Sequence, residues 1–254
     1  MGFQQSAHEA VVYRQGSGRS VLLVGVYVHD LIITGAEGDR VEAFKAQMKK
    51  EFDMSDLGLL YFYLDVEVRQ DANGIALRQT HYAKRILELD GMTGCNLSHT
   101  PMEERLKLSR DSMAEEVDST HYQRLIGSLR YLAVKRILRY VAGILDYGLH
   151  YGRAPNIARF IGNYDSDLAG DVDTSKSTTG TLFFIGGCLV SWQSLKQKVG
   201  ALSSCEAEYI ATTTIATEAL WLWRMLAELL GRNVDVVVLK VDNKSALSLA
   251  QLAH

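Results

Sequence analysis

Proline is nearly absent from this chain, with Pro101 and Pro155 the only two in 254 residues, which excludes Pro-rich linkers. Cysteine is scarce as well. Cys95, Cys188 and Cys205 are far apart, odd in number and form no C-x-x-C, so a disulfide framework or structural zinc site is not expected and a reducing compartment is the default. No apolar run approaches the roughly 20 residues that cross a bilayer, and the opening MGFQQSAHEAVVYRQ lacks the basic–apolar–small layout of a secretory signal. The expectation is an intracellular protein, neither secreted nor membrane-bound. Excess positive charge is missing too: 27 basic against 30 acidic residues give −3, which excludes histone-like bulk binding of nucleic acid but not a local basic surface. What is present, 47% hydrophobic and 22% charged residues, is the balance of a folded globular chain with room for one large domain or two small ones.

The apolar pattern supplies the elements. Val21 to Thr34 (VLLVGVYVHDLIIT) holds two β-branched runs around a polar pair, predicting a hairpin with His29-Asp30 at its turn. Val41, Phe44, Met48 and Phe52 share one face of a helix over Arg40 to Phe52. Leu60 to Arg69 and Ile75 to Gln79 read as strands joined at Asp71-Ala72-Asn73-Gly74, where Asn-Gly supplies positive φ angles. A helix over Tyr82 to Asp90 closes at Gly91. Residues 103–118 carry six carboxylates against three basic residues and read as a solvated linker. From 119 to 153 the sign inverts, with six basic residues (Arg124, Arg130, Lys135, Arg136, Arg139, Arg153) against Asp146. Apolar residues at helical spacing make this stretch amphipathic with a basic outer face. That face either contacts nucleic-acid phosphates or is simply solvated.

A boundary is placed near 152–157, at Gly152 and Pro155. Beyond it, strands are expected at Phe160–Tyr164, Gly180–Ile185 and Cys188–Gln193, then a long helix over Ser203 to Leu230. A strand at Val234–Val241 and a short helix after Asp242-Asn243 complete an α/β order. In this order Asp165 closes one strand, Asp242 ends another, and Glu208 lies in the first turns of the long helix. Carboxylates so placed converge on one sheet edge, where all-oxygen ligands at that density suit Mg²⁺ or Mn²⁺. The competing reading is of ordinary solvated carboxylates. A calcium loop from Asp165 to Lys176 fails, because Ala169 and Lys176 occupy ligand positions.

The strings YDSDLAGD, STTGTLFFIGG, LVSWQSLKQ, ALSSCEAEYIATTTIATEALWL and VDNKSAL resemble, in order and spacing over 157–252, the ribonuclease H domain of Copia-type (Ty1/copia) retrotransposon Pol polyproteins. Upstream, YVHDLIITG, FDMSDLGLLYFYLDVEV, GIALRQTHYAKRIL, GMTGCNLSHTPM, YQRLIGSLRYL and AVKRILRYVAGILDYGLHY resemble the C-terminal part of the reverse transcriptase and its connection in the same polyprotein. The resemblance implies three parts: a C-terminal palm portion over 1–102, a linker and basic helical connection over 103–152, and a ribonuclease H-like mixed-sheet domain over 153–254. It implies an α+β palm remnant followed by an α/β domain lacking its last strand and helix, since the family's fourth acidic residue falls beyond His254. It also implies that GSLRYL and AVKRILRY, separated in the family, are fused near 132–133.

By motif, the resemblance assigns catalytic and metal-holding roles to Asp165, Glu208 and Asp242, preferring Glu208 over Glu206. The polymerase turn reads Tyr27-Val28-His29-Asp30, with His29 where the family has a metal-ligating Asp and Asp30 retained as a degenerate metal ligand. Imidazole is a poorer Mg²⁺ partner than carboxylate, so polymerase activity is not expected. The implied cofactor is Mg²⁺ (or Mn²⁺), and the implied partners are an RNA–DNA hybrid or other nucleic acid and other Pol and Gag products. The hybrid would be contacted by Arg124, Arg130, Lys135, Arg136 and Arg139. The implied location is cytoplasmic, in virus-like particles, or nuclear. The rival reading is a catalytically dead remnant that binds nucleic acid weakly or has no function. Of Trp221 and Trp223, one is expected to face the core.

Overall fold

The computed structural model describes residues 2–102, 131–153 and 159–252. The acidic linker, Arg124 and Arg130, and the expected boundary at Pro155 lie outside the described residues. Within them, twelve strands fall into three four-stranded sheets accompanied by five α-helices, which bears out the α/β class.

The first sheet is an antiparallel meander of β1 (Gln4–Gln5), β2 (Val12–Gln15), β3 (Leu22–Tyr27) and β4 (Asp30–Gly35). Tyr27 pairs with Asp30, so the turn is Val28-His29 and Asp30 already belongs to β4. The expected turn is therefore displaced by one residue, and Val28 adopts a φ of 53°, which a β-branched residue rarely does. Helix α1 (Gly38–Glu51) lays Val41, Phe44 and Met48 on Leu22 and Val24, the apolar stripe its spacing predicts.

The second sheet joins β5 (Phe62–Tyr63), β6 (Val66–Asp71), β7 (Gly74–Arg78) and β8 (Leu149–Gly152). The single strand expected over Leu60 to Arg69 is instead a hairpin. Leu64 and Asp65 turn it at φ values of 49° and 60°, matching the right-handed strand twist without any glycine. At the next turn Asp71 pairs with Gly74, leaving Ala72-Asn73 as the loop. Gly74 is needed for another reason: at φ 151° a Cβ there would run into the Tyr151 carbonyl of β8. Helix α2 (Thr80–Leu89) ends as expected at Gly91. Gly91 N–H donates to Glu88 O and Met92 N–H to Leu87 O, a Schellman closure. Helix α3 (Tyr131–Gly143) packs Val134 and Leu138 on Leu87. The basic stretch is not helical throughout, because its end pairs as β8 with β7.

The third sheet has the order β11-β10-β9-β12, built from β9 (Phe160–Ser166), β10 (Thr178–Ile185), β11 (Cys188–Lys196) and β12 (Val238–Lys240). Strands β9, β10 and β11 are antiparallel and β12 is parallel to β9, so the sheet is mixed. The strand expected over Val234–Val241 is shorter because only three of its residues pair with β9, at the sheet's edge. Helix α4 (Ser204–Leu230) starts at Ser203, whose hydroxyl accepts from Glu206 N–H, and stops at Gly231 in the left-handed region. Ala211, Ile215, Ala219 and Leu222 face Phe160, Tyr164 and Phe183 at helical spacing and form the main core. Trp223 packs against this core, as expected of one of the pair. Trp221 instead donates to the His8 carbonyl. Helix α5 (Lys244–Leu252) is capped by Asn243, whose side chain accepts from Ser245 and Ala246 N–H. The segment near Ser6 rests on the far end of α4, where Glu228 accepts from Ser6 Oγ and Ala7 N–H.

Candidate metal centre

Strands β9 and β12 are parallel neighbours, so their C-terminal ends share one edge. Lys240 lies opposite Asn163, and each chain runs two residues further to reach a carboxylate, Asp242 and Asp165. Glu208 enters from the second turn of α4. The three carboxylates each present an oxygen such that all lie within 4.8 Å of one another. The structure thus brings together the three residues singled out in the second half of the sequence. Glu206 is elsewhere engaged: its carboxylate accepts from Leu202 N–H at the helix start, a capping role.

The burial is unequal. Asp165 and Asp242 are exposed, whereas Glu208 is 4% exposed. Ser166 N–H donates both to Glu208 Oε1 at 3.0 Å and to Asp165 Oδ1 at 2.8 Å. Glu208 Oε2 is buried with no hydrogen-bond partner. An unpaired buried carboxylate oxygen is costly, and the group responds by holding its proton. Burial first, then the Asp165 and Asp242 carboxylates, push the Glu208 pKa from the ordinary 4.5 to about 7, against the opposing hydrogen bond from Ser166. Beside it, Tyr164 shares a 2.8 Å hydrogen bond with Thr212, and burial with the nearby carboxylates raises its pKa.

An all-oxygen donor set, one member of which is buried with an unpaired oxygen beside two further carboxylates, fits a hard divalent cation such as Mg²⁺ or Mn²⁺. Asp165, Glu208 and Asp242 would hold it. The calcium-loop candidate is used otherwise: Asp171 accepts from Asp173 and Thr174 N–H and pairs with Lys196, while Asp167 accepts from Thr178 N–H.

The other expected site residues are dispersed. Asp30 and His29 are exposed at the β3–β4 turn, and Asp30 joins no group of three metal-ligating side chains among the described residues. Tyr27 meets Tyr63 edge-on at 6.1 Å there, and partial burial together with the Asp30 charge raises the Tyr63 pKa. Lys135, Arg136 and Arg139 lie on α3. Arg136 donates to Thr100 O and Oγ1 and Arg139 to Asn96 O, so these two guanidiniums bind the chain's own 96–100 segment. One residue behind the centre, Gln197, closes the string LVSWQSLKQ but carries no assigned role there; only the fold shows what it touches.

Residues 1–104 match the family described as reverse transcriptase (RNA-dependent DNA polymerase). The chain is 32% identical to the Retrovirus-related Pol polyprotein from transposon TNT 1-94 of Nicotiana tabacum, over 95% of its own length and 21% of that protein's. It is 31% identical to an uncharacterized mitochondrial protein of Arabidopsis thaliana, covering 77% of this chain and 92% of that one. The chain belongs to the copia-type retrotransposon Pol family. A further Pol polyprotein, from transposon RE1 of Arabidopsis thaliana, is 30% identical over 97% of this chain and 19% of its own length. This copia-type chain thus spans about a fifth of the length of the Pol polyproteins it matches. It carries reverse transcriptase sequence in its first part, and no helix among its described residues is long and apolar enough to cross a membrane.

Proposed function

We propose that residues 153–254 form a ribonuclease H-type domain that hydrolyses the RNA strand of RNA–DNA hybrids, with Asp165, Glu208 and Asp242 holding Mg²⁺ or Mn²⁺. The observation that carries this reading is the convergence of three carboxylates at one sheet edge, within 4.8 Å, from three separate elements. The two exposed members face solvent, where a phosphodiester backbone approaches, and the buried one stands behind them. When bound, the divalent cation offsets the charge of the phosphate and activates water for attack. The chain's own residues do the positioning. Ser166 N–H fixes one carboxylate oxygen each of Asp165 and Glu208, which leaves each carboxylate a second oxygen.

The nucleic-acid partner is read from the same chemistry, with Arg124, Arg130 and Lys135 as the basic contacts and Arg136 and Arg139 bracing the 96–100 segment. The first part, 1–102, is read as a palm portion without polymerase activity, because His29 stands in the metal-binding turn and Asp30 has no carboxylate cluster around it among the described residues. The segment 103–152 is read as linker and connection.

The test is incubation of the purified chain with an RNA–DNA hybrid and Mg²⁺, wild type beside Asp165→Asn. Cleavage by the wild type and at least a 100-fold loss in the variant are expected, in line with removal of a metal ligand. Cleavage that survives Asp165→Asn overturns the residue assignment. Absence of cleavage in the wild type overturns the activity and favours a remnant without catalysis.

A further inference from the structure

Gln197 follows β11 and is 6% exposed, yet its side chain reaches three elements. Nε2 lies 3.0 Å from Ser166 Oγ in β9, 3.0 Å from Thr179 Oγ1 in β10 and 2.9 Å from the Ala207 carbonyl in the first turn of α4. A carbonyl only accepts, so the Ala207 contact orients the amide with its NH₂ group inward. The backbone is anchored as firmly. Gln197 N–H donates to Ser177 O at 2.8 Å, and the fully buried Ser177 hydroxyl in turn accepts from Ala169 N–H.

Two of the three partners adjoin the carboxylates. Ser166 follows Asp165 and supplies the N–H that bridges Asp165 and Glu208. Ala207 precedes Glu208. The main core takes Ala211, Ile215, Ala219 and Leu222 from α4, so its apolar contacts begin a turn beyond Glu208. Apolar contact is also non-directional, and three carboxylates that close together repel. Directional ties hold the start of α4 to β9: Ser166 N–H to Glu208, Tyr164 with Thr212, and, reaching the Ala207 backbone as well as Ser166 Oγ, Gln197.

We infer that Gln197 is a positioning residue of the metal centre: it clamps Ser166 and Ala207 so that Asp165 and Glu208 present their oxygens to one cation, without touching that cation itself. The inference rests on the reading of Asp165, Glu208 and Asp242 as a divalent-cation site, and it assigns a role to a residue that no ligand motif contains. Outer partners that orient metal ligands typically contribute 10–100-fold in affinity.

The test uses the full chain and Mn²⁺ as probe, its free concentration followed by electron paramagnetic resonance. Gln197→Met keeps the volume and removes the amide; about 10-fold weaker Mn²⁺ binding is expected. Ser166→Ala removes only the hydroxyl partner and keeps the bridging N–H; a loss of about 3-fold is expected, and this variant decides if Gln197→Met does not melt cooperatively. Ile215→Val, a core change in the same helix, is expected to lower thermal stability while leaving Mn²⁺ affinity within 2-fold. With hybrid substrate, Gln197→Met should lower kcat and leave KM nearly unchanged. Wild-type Mn²⁺ affinity in the folded Gln197 and Ser166 variants overturns the inference, as does equal weakening by Ile215→Val. A wild type that binds no Mn²⁺ overturns the metal-centre reading itself, and the inference with it.

Discussion

Replacing Glu208 by Gln should make the cation-free protein more stable at alkaline pH, although it removes a residue of the proposed site. Glu208 is 4% exposed, its Oε2 has no donor, and its pKa is pushed to about 7 by burial and by the Asp165 and Asp242 charges. Between 4.5 and 7 the folded chain keeps a proton that the unfolded chain has released. The stability this group supplies is therefore fully present below pH 4.5 and is lost as pH rises through 7. The rise from 4.5 to about 7 corresponds to on the order of 3 kcal/mol at 1.36 kcal/mol per pH unit, reduced to about 2 because the centre opens to solvent on its Asp165 and Asp242 side. A glutamine amide reproduces the protonated acid: its oxygen takes the Ser166 N–H and its NH₂ group points at Asp165. Urea unfolding with chelator at pH 5, 6, 7 and 8 reads the effect. The wild-type midpoint should fall across that range more steeply than that of Glu208→Gln, the two converging at pH 5. Adding Mg²⁺ at pH 8 should restore the wild type alone, since a ligand that binds only the folded state stabilises it. Parallel pH profiles for the two proteins would refute the reasoning.

Other perturbations have equally definite outcomes. Phe183→Ala empties a fully buried position against Phe160 and should cost about 3–5 kcal/mol in denaturant unfolding; a loss below 1 kcal/mol would show that the third sheet's core lies elsewhere. Gly74→Ala places a methyl against the Tyr151 carbonyl at φ 151° and should cost about 1–3 kcal/mol. Retained β7–β8 protection in hydrogen exchange would contradict that outcome. Ser203→Ala removes the acceptor for Glu206 N–H at the start of α4 and should lower stability by about 1 kcal/mol, checked by thermal melting.

Much of this architecture was legible wherever the local chemistry was complete. The long helix announced itself through Ser203 and Glu206 at its start, Gly231 at its end and a stripe of small and branched residues between. The three-carboxylate cluster was legible in its members, because Asp165 and Asp242 follow apolar strands and Glu208 lies in the helix beside them. Its geometry was not, since convergence depends on β12 lying parallel to β9. The strand expected over Leu60 to Arg69 broke because Leu64 and Asp65 make a turn with none of the usual turn residues. Strand β8 was hidden in a basic helical pattern because its partner, β7, lies far upstream. Gln197 lies within the string LVSWQSLKQ, yet its role was hidden: its three partners belong to three elements, and no window of sequence holds them together.

The three-residue pairing of β12 with β9 bears on how the molecule comes into being. Strands β9, β10 and β11 pair with their sequence neighbours across local connections, 167–177 and Gly186-Gly187, whereas β12 joins only after β10, β11 and the whole of α4 have been laid down. Non-local parallel pairing is slow because loop closure precedes the contacts that reward it. During refolding, tryptophan burial on α4 should therefore recover ahead of cation affinity, which waits for Asp242. The proposed cation site is thus expected to be completed last as this chain folds and, with β12 at an edge, to come apart first.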